Sequence, residues 1–231
     1  MKMKQSDICY LCGKQIIENK NDDHIPPKQF FATEIRKIHN PNLTTLPAHR
    51  DCNFSFQLDE GYFVYSLAPM ILESYSGRHV YNDMRRRFDE GKNVALVHKM
   101  LNEFDLNPSG LILPGNKIIK RFDRQRISRV IWKIVRGLYY IENKLILPEG
   151  TKHRSFYTFP DDRPPDIFFL LAESNAKGNY PGVFDYMYIK HIHDDITWNI
   201  WGLLFWDRII TTILFHDVEC ECPYCVNTRT L

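Results

Sequence analysis

Apolar positions between residues 124 and 142 follow a single rule. Ile127, Val130, Ile131, Ile134, Val135 and Leu138 recur at i, i+3, i+4 and i+7, which predicts an amphipathic helix over about 124–142. Asp123 is a candidate N-cap for it, and Ser128 is a second. Beyond residue 146 the period changes. After a proline-marked loop (Pro160, Pro164, Pro165), aromatic and β-branched runs over 183–190, 196–206 and 209–215 predict three strands. Turns at Asp194-Asp195 and Asp207-Arg208 make an antiparallel meander the expected arrangement. Residues 61–145 read as mainly helical, interrupted near Asn107-Pro108-Ser109-Gly110 and Pro114-Gly115. No internal repeat emerges.

The first 60 residues follow neither period. They are rich in cysteine, histidine and turn residues, which sets them apart as a small module ahead of an accessory region over 61–231, helical to 145 and mainly β from 146. The expected class is α+β: an N-terminal metal-stabilised module, a helical segment, then an antiparallel β-meander.

Composition narrows the partners. A hydrophobic share of 44% with 25% charged residues is ordinary for a packed domain and excludes a disordered or collagen-like chain. Net charge is only +2, so contact with nucleic acid would depend on local patches. The longest near-continuous apolar run, 200–206, is too short for a membrane span, and the first residues lack the apolar core of a signal peptide. A cytoplasmic protein without membrane partners is the expectation.

All six cysteines lie near the ends: Cys9, Cys12 and Cys52, then Cys220, Cys222 and Cys225. Paired cysteines at CxxC spacing in an intracellular chain point to metal binding or thiol chemistry rather than a disulfide framework. Cys9-x2-Cys12 and His49-x2-Cys52 give two pairs of soft ligands, and four such ligands close a tetrahedral structural zinc site. Cys222 and Cys225 completing that site in place of His49 and Cys52 is an alternative. The tail cluster, with His216 upstream, offers a second zinc set, His216, Cys220, Cys222 and Cys225. Its Cys222-Pro223-Tyr224-Cys225 also resembles the glutaredoxin redox motif, although that motif normally opens a helix early in its fold.

Between the two N-terminal pairs lies Asp23-His24-Ile25-Pro26-Pro27-Lys28, followed by Asn42-Leu43 and by Leu46-Pro47-Ala48-His49-x2-Cys52-Asn53. In order and spacing this resembles the HNH endonucleases of the ββα-metal (His-Me finger) superfamily, in particular bacterial members with a DHIPPK signature. The resemblance covers roughly residues 9–60. It implies a phosphodiester hydrolase in which His24 is the general base and Asp23 and Asn53 ligate a catalytic Mg²⁺ or Mn²⁺. It also implies that Asn42 braces the loop between hairpin and helix. The chemistry is consistent: a neutral imidazole accepts a proton near pH 7, and hard cations take carboxylate and amide oxygens. Asn40 is an alternative to Asn42, and Asp22 to Asp23. The lysine that many such helices carry after the last ligand is missing here, where Phe54-Ser55-Phe56-Gln57 follow, so Lys28 is the expected replacement.

On the 124–142 helix, Arg126, Arg129, Lys133 and Arg136 form a basic stripe that suits a phosphate backbone, and Arg85-Arg86-Arg87 forms a smaller cluster. Aromatics in the last third, including Trp198, Trp201 and Trp206, fit a sheet core better than a base-stacking surface. DNA is expected ahead of RNA as substrate. A homodimer or a separate sensor or ATPase is the expected partner if the resemblance extends to restriction or anti-phage defence. The competing reading is a non-catalytic zinc module that binds nucleic acid or protein.

Overall fold

The structure is a computed structural model and describes residues 8–39, 42–105, 110, 119–148, 150–178, 180–194, 196–217 and 220. The described residues mix helices with antiparallel sheets. Strand β1 (Lys20–His24) pairs with β2 (Thr45–His49), and between them the chain forms helix α1 (Thr33–His39). Helices α2 (Arg50–Phe54) and α3 (Gln57–Leu67) follow β2 directly, and α4 (Tyr75–Asp89) and α5 (Val94–Leu101) come next. A short pair, β3 (Phe104–Asp105) with β4 (Ile119–Lys120), leads into the long helix α6 (Arg124–Asn143).

The expected helix is α6 to within a residue. Asp123 caps it, its side chain accepting from the Arg126 amide, and Lys144 ends it in the left-handed region at φ 58°. The surprise is its burial. Every residue from Val130 to Tyr140 is buried, so α6 is the central rod of the molecule and not a surface helix with one wet face. Gly137 marks the closest approach: a Cβ there would lie 2.7 Å from two atoms of the Ile25 side chain.

The expected meander is also present as β6 (Phe184–His193), β7 (Ile196–Phe205) and β8 (Ile209–His216). A fourth strand, β5 (His153–Thr158), pairs with β8, so the sheet order is β5-β8-β7-β6. The β7–β8 turn begins one residue earlier than Asp207-Arg208: Trp206 and Asp207 both have positive φ, and Phe205 pairs with Ile209. That geometry drives the Trp206 indole inward, where its Nε1 donates to the Phe30 carbonyl at 3.0 Å.

Aromatic packing joins the sheet to the N-terminal segment. The Phe30 and Phe63 rings stack at 5.0 Å, and Phe205 meets both edge-on. Tyr180 accepts from the Thr44 amide at 2.7 Å. One core cluster therefore runs from Cys9 to Phe215. Trp201, Phe205 and Trp206 belong to it, as the sheet-core reading of the aromatics expects, whereas Trp198 is only half-buried and lies outside it. No described helix is long and apolar enough to cross a membrane.

Candidate metal centre and candidate active site

The Cys9–Cys12 turn is built by Gly13, whose φ of +72° lets its amide turn back to the Cys9 carbonyl at 2.8 Å. His49 ends β2, and Cys52 lies one turn into the helix that starts there, so both reach back toward that turn. One ligand atom from each of Cys9, Cys12, His49 and Cys52 falls within 4.8 Å of the others, a group positioned to bind a metal ion such as zinc.

The donor set explains itself electrostatically. Burial, and then the neighbouring Cys9 and Cys12, push the Cys52 thiol up to about 12, because thiolates this close repel one another unless a cation sits between them. The His49 ring is oriented for the task. Its Nε2 lies 3.2 Å from the Gln15 carbonyl, an acceptor only, so the proton belongs there and the Nδ1 lone pair faces the thiols at 3.3 Å (Cys12) and 3.9 Å (Cys52). Among the described residues it is His49 and Cys52 that complete the set with Cys9 and Cys12; Cys222 and Cys225, on which the alternative depends, lie outside them.

A second cluster forms around β1 and α2. Alternation along β1 turns Asn21 and Asp23 toward α2 and leaves Asp22 exposed. Asn53 on α2 donates to Asn21 Oδ1 at 3.2 Å, and its own Oδ1 points at the same place as the Asp23 carboxylate. That place holds a cation of the protein's own. The Lys133 Nζ lies 2.8 and 2.9 Å from the two Asp23 oxygens, 3.1 Å from Asn53 Oδ1 and 2.5 Å from Glu60 Oε1. Tyr10 completes the shell, donating to Asp23 Oδ2 at 2.6 Å; burial above all, with Asp23 next, raises its phenol well above its usual range and keeps it protonated. Burial also raises the Glu60 carboxyl, with Lys133 opposing.

His24, the last residue of β1, is half-buried. Burial first, and Lys28 second, lower its imidazole below the ordinary 6.5 against the opposing pull of Asp23, so it is neutral and able to accept a proton at neutral pH. Lys28 is exposed and lines a cavity of about 220 Å³ with Arg36 and Arg87. Asn42 is exposed in the loop before β2; its backbone carbonyl, not its amide, is engaged, accepting from the Tyr180 hydroxyl at 3.3 Å. Asn40 lies outside the described residues.

The basic stripe on α6 exists, but acids meet it: its first half is paired and partly exposed, and its second half is buried. Arg126 Nε meets Asp59 Oδ1 at 2.6 Å, and Arg129 pairs with the other Asp59 oxygen. Lys133 is buried in the cluster above, and Arg136 is buried against the carbonyls of Leu11 and Leu147. The expectation that this stripe contacts a phosphate backbone is corrected for Lys133 and Arg136, which are buried and out of reach; Arg126 and Arg129 share the single Asp59 carboxylate, and Arg129 stays half-exposed. The acids that meet it, Asp59 and Glu60 in the first turn of α3, carried no signal of their own in the sequence.

In the tail, the Cys220 sulfur lies 3.7 Å from His216 Nδ1. Cys222 and Cys225 lie outside the described residues, and so do the second zinc set and the redox reading that depend on them. No family model matches this chain, and no curated protein or solved structure matches it.

Proposed function

We propose that residues 8–60 form a zinc-held ββα module of the HNH type and that the protein hydrolyses phosphodiester bonds of nucleic acid at His24. The observation that carries this reading is the convergence of Asp23 and Asn53, from a strand and a helix, on a single cation position, with His24 next in the strand and its imidazole sensing the charges of both Asp23 and Lys133. The donor set fits a hard divalent ion: a carboxylate and an amide oxygen, with the Glu60 carboxylate on the far side, already surround a cationic group. A divalent ion held there by Asp23 and Asn53 would supply the charge that offsets the scissile phosphate and its leaving oxygen.

The protein's own groups do the rest. His24 accepts the proton of the attacking water, and its lowered basicity keeps it unprotonated for that step. Tyr10 holds the Asp23 carboxylate by one oxygen, which fixes its direction. Lys28, Arg36 and Arg87 line a cavity with one acid, Asp83, and supply a net positive surface for a phosphate backbone.

Plasmid cleavage by zinc-loaded protein with Mg²⁺ or Mn²⁺ tests the reading. Wild type is expected to cut and His24→Ala, with zinc content and fold retained, is expected to lose the activity. Equal cutting by both would place the activity elsewhere. The second reading, a non-catalytic zinc module that binds nucleic acid or protein, draws on the Lys133 ammonium already filling the cation position; it predicts retained binding and no divalent-dependent cleavage.

A further inference from the structure

We propose that Lys133 is the resident cation of the Asp23–Asn53 site, so that a divalent ion enters only when the Lys133 side chain withdraws. The inference rests on the hydrolase reading above and adds to it an internal block.

Lys133 makes a closed set of bonds. An ammonium has three protons, and here three groups take them: Asp23, Asn53 and Glu60. Its side chain is fully buried, so it cannot reach a bound phosphate and is not a substrate contact. It also leaves no room for company. A magnesium-sized ion sits about 2.1 Å from its oxygens. The oxygens it would share with Nζ are 2.8–3.1 Å from the nitrogen. An ion bound to them would face the ammonium at close contact in a buried setting, where like charges repel most strongly.

Charge balance favours exchange over coexistence. The pocket holds two carboxylates, Asp23 and Glu60, against one ammonium. A divalent ion in place of the ammonium balances both carboxylates; with both cations present the pocket is overcharged. Lys133 is also connected beyond the module. It is carried by α6, whose neighbouring Trp132 stacks on His153 of β5 at 4.0 Å and whose Tyr139 donates to Asp217 just beyond β8 at 2.9 Å. A displacement of α6 by something bound to the sheet would therefore reach the cation position directly.

The test is Mn²⁺ binding by the full zinc-loaded chain, followed by loss of the free-ion paramagnetic resonance signal. Lys133→Met is expected to bind Mn²⁺ at least about tenfold more tightly than wild type. Asp23→Asn in the Lys133→Met background should abolish the gain, and Mn²⁺ should raise the melting temperature of Lys133→Met but not of wild type. If the single variant fails to fold, Lys133→Met with Glu60→Gln removes the ammonium together with one of its counter-charges and serves in its place.

Asp23-dependent binding by wild type as tight as that of the variant would overturn the block and leave the hydrolase reading intact. A folded variant that binds no better than wild type would also overturn it. The hydrolase reading itself fails on a different readout, the absence of His24-dependent cleavage by wild type and Lys133→Met alike.

Discussion

The two ends of the described chain are held by different physics. The N-terminal hairpin has strands of five residues, and its only large inward side chain on either strand is Leu46. What fixes it is polar: three sulfurs and an imidazole at one end, and two carboxylates about an ammonium at the other. The C-terminal sheet has strands of eight to ten residues in its meander and buries Trp201, Leu203, Phe205 and Ile213 completely. A short hairpin cannot bury enough apolar surface to offset its ordering entropy, so ligands and buried ion pairs take over. The longer sheet needs neither.

If that contrast is right, metal removal should separate the two regions. Structural zinc of this kind contributes about 10 kcal/mol or more to folding. Cys52→Ser, or a strong chelator, should therefore strip the metal and release the backbone amides of β1 and β2 to hydrogen exchange. The β6–β8 amides should stay protected. Simultaneous loss of protection in the sheet would show instead that the metal holds the whole molecule.

The seam between the regions is apolar, and there the contrast should vanish. Phe205 packs against Phe30 and Phe63 from the N-terminal half and Phe184 from the sheet. Phe205→Ala should cost about 3–5 kcal/mol. Urea denaturation should show one transition shifted as a whole, because both regions lose the same contact. Two separated transitions would break the idea of a shared core.

The same seam contains a tighter, smaller device. Gly137→Ala would push a methyl into Ile25, so overpacking should cost about 1–3 kcal/mol. Ile25→Val in the Gly137→Ala chain should recover part of that loss. A double-mutant cycle of stabilities with no coupling would mean that the two residues do not meet.

Much of this architecture was legible from patterns of one period. The apolar spacing of α6, the three meander strands and the four soft ligands were all readable because each is a local rule applied to neighbouring residues. β5 was not, since His153, Arg154 and Ser155 carry little strand propensity, and the strand forms because β8 offers it an edge. The α6 stripe misled for a related reason. A run of cations reads as solvent-facing unless the acids opposite are known, and Asp59, Glu60 and Asp23 come from 67, 73 and 110 residues away. In the candidate site, Asp23, His24 and Asn53 were readable from their motif. The roles of Lys133, Glu60 and Tyr10 were not, because the fold alone brings them to one point.

The smallest expected effect concerns a group where the sheet meets α6, away from the N-terminal centre. His153 at the start of β5 stacks flat on Trp132 of α6, and Phe215 is its partner across the strand pair. Neither ring carries charge, and burial lowers the imidazole below its ordinary 6.5, although the Thr151 carbonyl opposes this. The unfolded chain therefore binds a proton that the folded chain resists. Stability contributed by the neutral ring is complete above 6.5 and falls as pH drops from there through the lower folded value. His153→Phe keeps the stack and removes the titration. The difference in melting temperature between wild type and this variant should widen below pH 6.5 and be flat above it. Because the N-terminal centre has no part in this, the widening should survive Cys52→Ser. A difference that disappears with the metal would tie the sheet to the module more closely than the packing of the two regions implies.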